Sequence, residues 1–507
     1  MNHPRYSCFL AALILGGCQT DKDSTSPEDT QSSFGSEYVS PDLNGDGSIN
    51  ILVLGTSASI SGQKGFSPEP IAAELSSIFE GDPNITGEVS VLSEDIYTSQ
   101  GVTFGLGQGG DEYTTNHYRH SLAQYYYWPE GSEERMANLS GDGEHRWDYV
   151  VIAADPSIVS TSPGYYALGA HKIASKVTEG GAQPLLLMMW DEEDGALVDR
   201  FEEFTYRTAD GAPVELQAAP AGLAWAALSE EQRDEATTHP SPNGAYLSAA
   251  TLYAHMTQSS ASGSEYEYDA GLAEVARDTV EQALGEAHYS GELIFDSAFA
   301  SCDITDKSLT YNHTGSSSEN GILDGLNWVF DQATETLESG DDALITFNYG
   351  RANTNFESEK RYQIDPDRFL FSFGFPMQDH GNHGDESMLY GLDKRDGGVV
   401  NDTDLGVASY MTDQGELPYG RAIPIRTLFA QMHEVNPEQS AYRDSWHMHR
   451  DLDKAIAAYM YTMLTNKCAL GEEPEDNTTT DWSTWRAHQL GCDTAWTVMY
   501  LDGNSPF

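Results

Sequence analysis

The chain has 507 residues, with 26 Lys and Arg against 80 Asp and Glu, a formal charge of −54 and a sequence pI near 4.3. Nucleic-acid binding runs on counterion release by clustered basic side chains, and docking on anionic lipid needs the same residues, so this balance excludes both. Apolar residues make up 39% of the chain and aromatic ones 11%, which excludes disorder throughout. The acids are spread along the chain and read as a solvated surface suited to a saline exterior.

At the N-terminus, Arg5 precedes the apolar run Phe9–Leu15, and Gly16, Gly17 and Cys18 follow. A positive start, a short apolar core and small residues before a cut are the parts of a secretory signal. The run is too short for a permanent bilayer span. Leu15-Gly16-Gly17-Cys18 resembles the lipobox of bacterial lipoproteins, which implies cleavage before Cys18 and lipidation of its thiol. Gln19 after the cysteine implies sorting to the outer membrane or cell surface. Residues 1–17 are thus expected to be a signal peptide and 18–48 an acidic, Ser/Thr-rich tether, with the membrane touched only through the lipid. Of the later cysteines, Cys468 and Cys492 are expected to pair outside the cytoplasm, which leaves Cys302 as a free thiol.

Asp42-Leu43-Asn44-Gly45-Asp46-Gly47-Ser48 matches the first half of a calcium loop, with Asp42, Asn44 and Asp46 as oxygen donors. The closing acid of such a loop is replaced by Val53. The stretch is either a structural calcium site or an acidic turn, and no other cofactor is expected.

From residue 49 to about 260, strand and helix patterns alternate. Ile51–Leu54, Val89–Leu92, Tyr149–Ile152 and Pro184–Trp190 are short apolar runs of the kind buried parallel strands make. A helix opens at Ser67-Pro68, carries Ile71, Leu75, Ile78 and Phe79 on one face and stops at Gly81. Another runs from Asn243 to Met256. The pattern predicts a three-layer α/β/α, doubly wound parallel sheet, with its site at the carboxyl ends of the strands. There the first strand meets Gly55-Thr56-Ser57, where small residues leave a serine hydroxyl exposed beside free backbone N–H groups. Some 180 residues on, His239-Pro240-Ser241 forms a rigid turn before the last helix, able to supply a base.

These blocks resemble the SGNH (GDSL-type) hydrolases: Gly55-Thr56-Ser57; Trp147–Ile152; Gly181–Pro184 running to Trp190; Ala219–Trp225; and His239-Pro240-Ser241 with Gly244, Tyr246 and Leu247. The resemblance covers roughly residues 49–257. It implies Ser57 as nucleophile, His239 as general base, and Gly110 in the stretch Gly105–Gly110 as an oxyanion donor. Two positions depart from the family pattern. Asp155 stands where an Asn would contact the oxyanion, and a carboxylate there would repel it unless protonated. Ala236 stands where an Asp would orient the histidine, so Asp234 or Glu235 would have to serve from further back. A Ser–His dyad and a retained fold without activity both remain open. Tyr125-Tyr126-Tyr127-Trp128 is either a platform for a sugar or acyl group or part of the core.

Residues 261–290 read as a helical connection with Leu272, Val275, Val280 and Leu284, and 291–507 as a second α/β domain. His239, Ala249, Ala250 and Tyr253 share their spacing with His447, Ala457, Ala458 and Tyr461, which suggests a degenerate repeat of the first domain. Leu293–Ser297 and Leu344–Asn348 are its expected first and third strand ends, with Ser297, Asp444 and His447 as a second site. Asp379–Glu386, with His380 and His383, is a metal-binding cluster or a polar loop, and its Gly-rich spacing favours the loop. The expected substrate is a small-molecule or glycan ester. A non-catalytic surface lipoprotein that binds glycan or organises the envelope is the alternative.

Overall fold

A computed structural model describes residues 38–56, 71–105, 112–119, 121–128, 131–141, 146–190, 198–229, 231–233, 240–266, 268–285, 309–313, 317–333, 337–339, 345–350, 369–374, 399–400, 404, 420–443, 447–465, 468, 473–475 and 479–502. The first sheet contains β1 (Ser48–Gly55), β2 (Glu88–Asp95), β5 (Tyr149–Ala153), β6 (Gln183–Leu187) and β7 (Gln217–Ala219). Its order is β2-β1-β5-β6-β7 with every pair parallel. Alternation along each strand sends side chains to two faces. Ile51, Val53, Val151, Leu185 and Leu187 meet α1 (Ile71–Glu80), α7 (Ala221–Ala227), α8 (Pro242–Thr257) and α9 (Ala270–Gly285). Leu52, Leu54, Val150, Ile152 and Leu186 meet α2 (Leu122–Tyr127), α3 (Ser132–Ser140), α4 (Pro156–Thr161), α5 (Pro163–Glu179) and α6 (Val198–Asp210). The predicted three-layer, doubly wound α/β arrangement is the one observed.

The second sheet is built from β8 (Leu309–His313), β9 (Leu337–Ser339), β10 (Ile345–Gly350), β11 (Phe369–Gly374) and β13 (Gly420–Ala422), in the order β13-β11-β10-β8-β9 and again parallel throughout. Both sheets therefore read second–first–third–fourth–fifth strand. The expected third strand appears as β10, and among the described strands β8 takes the first position. Leu293–Ser297 lies outside the described residues.

The helices repeat as well. α10 (Ser317–Gln332) follows the first strand of its sheet and buries Ile322, Leu326, Val329 and Phe330, at the spacing of Ile71, Leu75, Ile78 and Phe79 in α1. α11 (Ile425–Val435) starts after Pro424, as α7 starts after Pro220. α12 (Arg450–Thr465) and α8 are both 16 residues long. Phe79 meets Tyr253 with ring centroids 5.2 Å apart, and Phe330 meets Tyr461 at the same separation. α13 (Thr480–Asp502) packs on α12, and the expected Cys468–Cys492 disulfide ties α13 to the chain just past the end of α12, with Cα atoms 5.8 Å apart.

The halves share a core in which Tyr127 of α2 and Leu168 of α5 pack among residues of α10 to α13. Lys172 on α5 pairs with Glu434 on α11 at 2.9 Å, and nearer the helix starts the Arg426 guanidinium lies 3.5 Å from the Tyr165 hydroxyl. α5 and α11 thus run in the same direction, and each returns from the carboxyl edge of its own sheet. Both carboxyl edges accordingly lie at one end of the molecule. A smaller sheet joins the halves: the antiparallel pair β3 (Thr98–Gly105) and β4 (Glu112–Arg119) takes β12 (Val399–Val400) as a third, parallel strand.

Candidate active-site edge

Register fixes what surrounds the approach to Ser57. Gly55, the last residue of β1, lies opposite Asp95 on one side and Ala153 on the other. Thr56, just past β1 at the carboxyl edge, is buried. Ser57 itself lies outside the described residues, as do His239, Asp234, Glu235, Ala236 and Gly110. Gly110 belongs to the connection between β3 and β4. On one flank the Ile96 N–H donates to the Gly55 carbonyl at 2.8 Å, and the Tyr97 N–H donates to Asp95 Oδ1 at 2.8 Å. Burial pushes the Asp95 carboxyl upward, against the pull of that N–H and of Arg119.

On the other flank, Asp155 lies two residues past Ala153 and immediately before α4. Its carbonyl accepts from the Ile158 and Val159 N–H groups at 3.0 and 3.2 Å. The position is therefore a helix start, which gives an Asp a local reason to stand there.

The turn after His239 is anchored at the same edge. Pro240 and Ser241 are buried, and the Ser241 hydroxyl caps α8 by accepting from the Gly244 N–H at 3.1 Å. A side chain at Gly244 would press on Trp190, just past β6, and on Trp225 of α7. Those two indoles stack with centroids 5.0 Å apart and planes at 15°. Gly222 brings the first turn of α7 so close to the Met189 carbonyl that a Cβ would overlap it. The backbone thus delivers residues 56 and 240, one on each side of the proposed pair, to one sheet edge.

Sequence reasoning did not find the network beside this edge. The Tyr125 hydroxyl donates to Glu94 Oε1 at 2.8 Å, and Asn138 Nδ2 donates to Glu94 Oε2 at 2.8 Å. Arg119 and Arg135 lie over the Tyr125 ring at 4.9 and 5.6 Å. Arg119 also donates to the Ile96 carbonyl at 2.7 Å, and Arg135 donates to the Tyr125 and Trp128 carbonyls. Arg119 and Arg135 are both buried, and nothing in the spacing of these residues along the chain announces that they meet. Tyr125, Tyr127 and Trp128 are buried, so the core reading of the aromatic run holds and the platform reading falls.

The acidic turn sits at the opposite, amino edge. Asp42 accepts from the Gly45 and Gly47 N–H groups at 2.7 and 2.9 Å, while Asp46 Oδ1 accepts from the Ser48 N–H and hydroxyl. Asp148 clamps the turn by accepting from the Leu43, Asn44 and Asn50 N–H groups. The twelfth loop position, Val53, is fully buried in the sheet and offers no side-chain oxygen, so the donor set does not fit a complete calcium loop. Among the described residues, no group of three or more His, Cys, Asp or Glu is placed to hold a metal ion. The 379–386 cluster and Cys18 lie outside the described residues. No described helix is long and apolar enough to cross a membrane. Of the second-site residues only His447 is described; it is half-buried, in a turn closed by the Arg443 N–H donating to its carbonyl at 3.0 Å.

No family model matches the chain, and no curated protein does. Two solved structures are similar to part of it. One is described as a "putative SGNH hydrolase" from Slackia heliotrinireducens, at 22% identity over 41% of this chain and 97% of that one, with a TM-score of 0.28. The other is a DUF4886 family protein from Bacteroides uniformis, at 13% identity over 48% and 98%, with a TM-score of 0.31. Scores this low carry no argument of their own. The strand order and register above define the class, a doubly wound α/β protein with its candidate site at the carboxyl edge.

Proposed function

We propose that the chain is an exported serine ester hydrolase of the SGNH kind, with the first half as its catalytic unit and acyl esters, acetyl esters of carbohydrate among them, as substrates. One observation carries this reading: Gly55-Thr56 and Pro240-Ser241, the immediate neighbours of Ser57 and His239, are held at the same sheet edge. In the proposed reaction Ser57 Oγ attacks the acyl carbon while His239 takes its proton. The tetrahedral intermediate collapses, and the alcohol leaves with the proton from His239. Water, activated by the same histidine, then releases the acid and restores the serine. Backbone N–H groups at Ser57 and Gly110 are the proposed oxyanion donors, and Asp234 is the proposed orienter of His239. In the same proposal Cys18 carries the lipid that holds the protein at the outer membrane or cell surface.

A fluorophosphonate probe tests the chemistry directly, because it labels only an activated serine. Labelling of the wild-type chain and its loss in Ser57→Ala support the assignment. Unlabelled wild-type protein would turn the reading to the glycan-binding or envelope-organising alternative, which the Asp at position 155 favours.

A further inference from the structure

We propose that Asp453 is a proton-operated latch between α10 and α12: the neutral acid lets the two helices close, and its ionisation pries apart the helix starts beside the His447 turn. In the first half the matching place on α8 is Ala245, fully inside the core. Asp453 is only 4% exposed as a residue, and its Oδ1 has no hydrogen-bond partner among the described residues. It lies against Gly321 of α10, where any Cβ would collide with the carboxyl oxygens, and one turn on, a Cβ at Gly325 would crowd Ala457 and the Asp453 carbonyl. The two helices approach this closely because α10 has no side chain at either point.

A buried carboxyl with an unfilled oxygen is tolerable when neutral and costly when charged. Burial pushes the Asp453 pKa up to about 8, and Asp324 on α10 adds to the rise. Arg443 from the preceding turn, with Arg450 and Lys454 on α12 itself, pulls the other way and does not overcome it. The remaining ionisable neighbours are committed elsewhere. Asp451 accepts from Gln439 at 2.7 Å, Lys454 donates to Thr484 of α13 at 2.9 Å, and His449 Nδ1 accepts from the Asp451 N–H at 3.2 Å. His488 of α13 stacks on Trp328 of α10 and is held neutral by burial. The first half also buries a carboxyl on this helix pair, Glu74 of α1, but gives it the Tyr266 hydroxyl at 2.7 Å.

The folded chain therefore holds the Asp453 proton more tightly than the unfolded chain, whose Asp titrates near pH 4. Stability from this group is complete below about pH 4, is lost as the pH rises toward about 8, and is level beyond it. The test compares full-length wild type with Asp453→Asn, which keeps the shape and cannot ionise. Thermal melting across about pH 5 to 9 should show wild type losing several degrees relative to the variant as the pH rises. Amide exchange at about pH 9 should be faster in wild type at the starts of α10 and α12, and unchanged there in the variant. Parallel melting profiles would overturn the latch, and so would an exchange difference confined to other elements.

Discussion

The two halves have one topology and differ in what they do with it. In the first, 15 residues separate the end of β1 from α1, and that connection holds the proposed nucleophile. In the second, three residues separate β8 from α10. The first half fills the α1–α8 interface with Ile71, Leu75, Ala245 and Ala249, all buried. The second admits Asp453 into the same interface. A fold of this kind separates the elements that make the core from the connections at the carboxyl edge. One half has elaborated a connection, and the other has placed a charge-bearing group beneath it.

The comparison breaks most sharply on activity. Ser57→Ala or His239→Ala should cut ester hydrolysis by about 10³-fold or more, whereas His447→Ala should leave turnover within about twofold, because the proposed site draws its nucleophile and base from the first half. Initial rates on p-nitrophenyl acetate check both. Equal losses from His239→Ala and His447→Ala would mean a joint site.

Stability should show the likeness instead of the contrast. Phe79→Ala and Phe330→Ala each empty the same aromatic pairing from a closed core and should each cost about 3–5 kcal/mol. Denaturant titration measures them, and a difference of more than about twofold would show that the halves are packed differently. Acid adds a second, smaller test. Burial pushes His488 down to about 4, so the unfolded chain binds this proton more readily. Stability is then lost as the pH falls from about 6.5 through 4, and His488→Phe should flatten that part of the melting profile. The smallest effect expected is at the Lys172–Glu434 pair between the halves, whose side chains are 33% and 40% exposed. Lys172→Met should cost at most about 1 kcal/mol, less at high salt.

Where a segment's own pattern dictates its partner, the sequence predicted the structure. Ile51–Leu54 and Tyr149–Ile152 are unbroken apolar runs that only a two-sided burial satisfies, and they became neighbouring strands. The spacing of Ala249, Ala250 and Tyr253 with Ala457, Ala458 and Tyr461 foreshadowed the matched helices. Leu309-Thr310-Tyr311-Asn312-His313 alternates too weakly to stand out beside the more apolar Leu293–Phe295, which lies outside the described residues. The β3–β4 hairpin, rich in Thr, Gly and Gln, has no apolar run and is recognised through its pairing with β12 from far along the chain. At the edge, the end of β1 and the start of α8 were legible, because a small-residue turn closes an apolar strand and Pro240-Ser241 opens a capped helix; Ser57 and His239 themselves lie outside the described residues. The Glu94–Tyr125–Arg119–Arg135 network was not legible, because its members come from four elements and meet only in three dimensions.

The point where the described chain enters the fold has a mechanical consequence. The Val39 N–H donates to the Thr257 carbonyl at the far end of α8, and the Tyr38 and Tyr253 hydroxyls both donate to Asp82 Oδ2, at 2.9 and 2.7 Å. That fastening is at the amino edge, while Ser241 starts the same helix at the carboxyl edge, about 24 Å away for 16 residues. Tension applied upstream of Tyr38 would load the last turn of α8 and leave the carboxyl edge of the sheet unstrained.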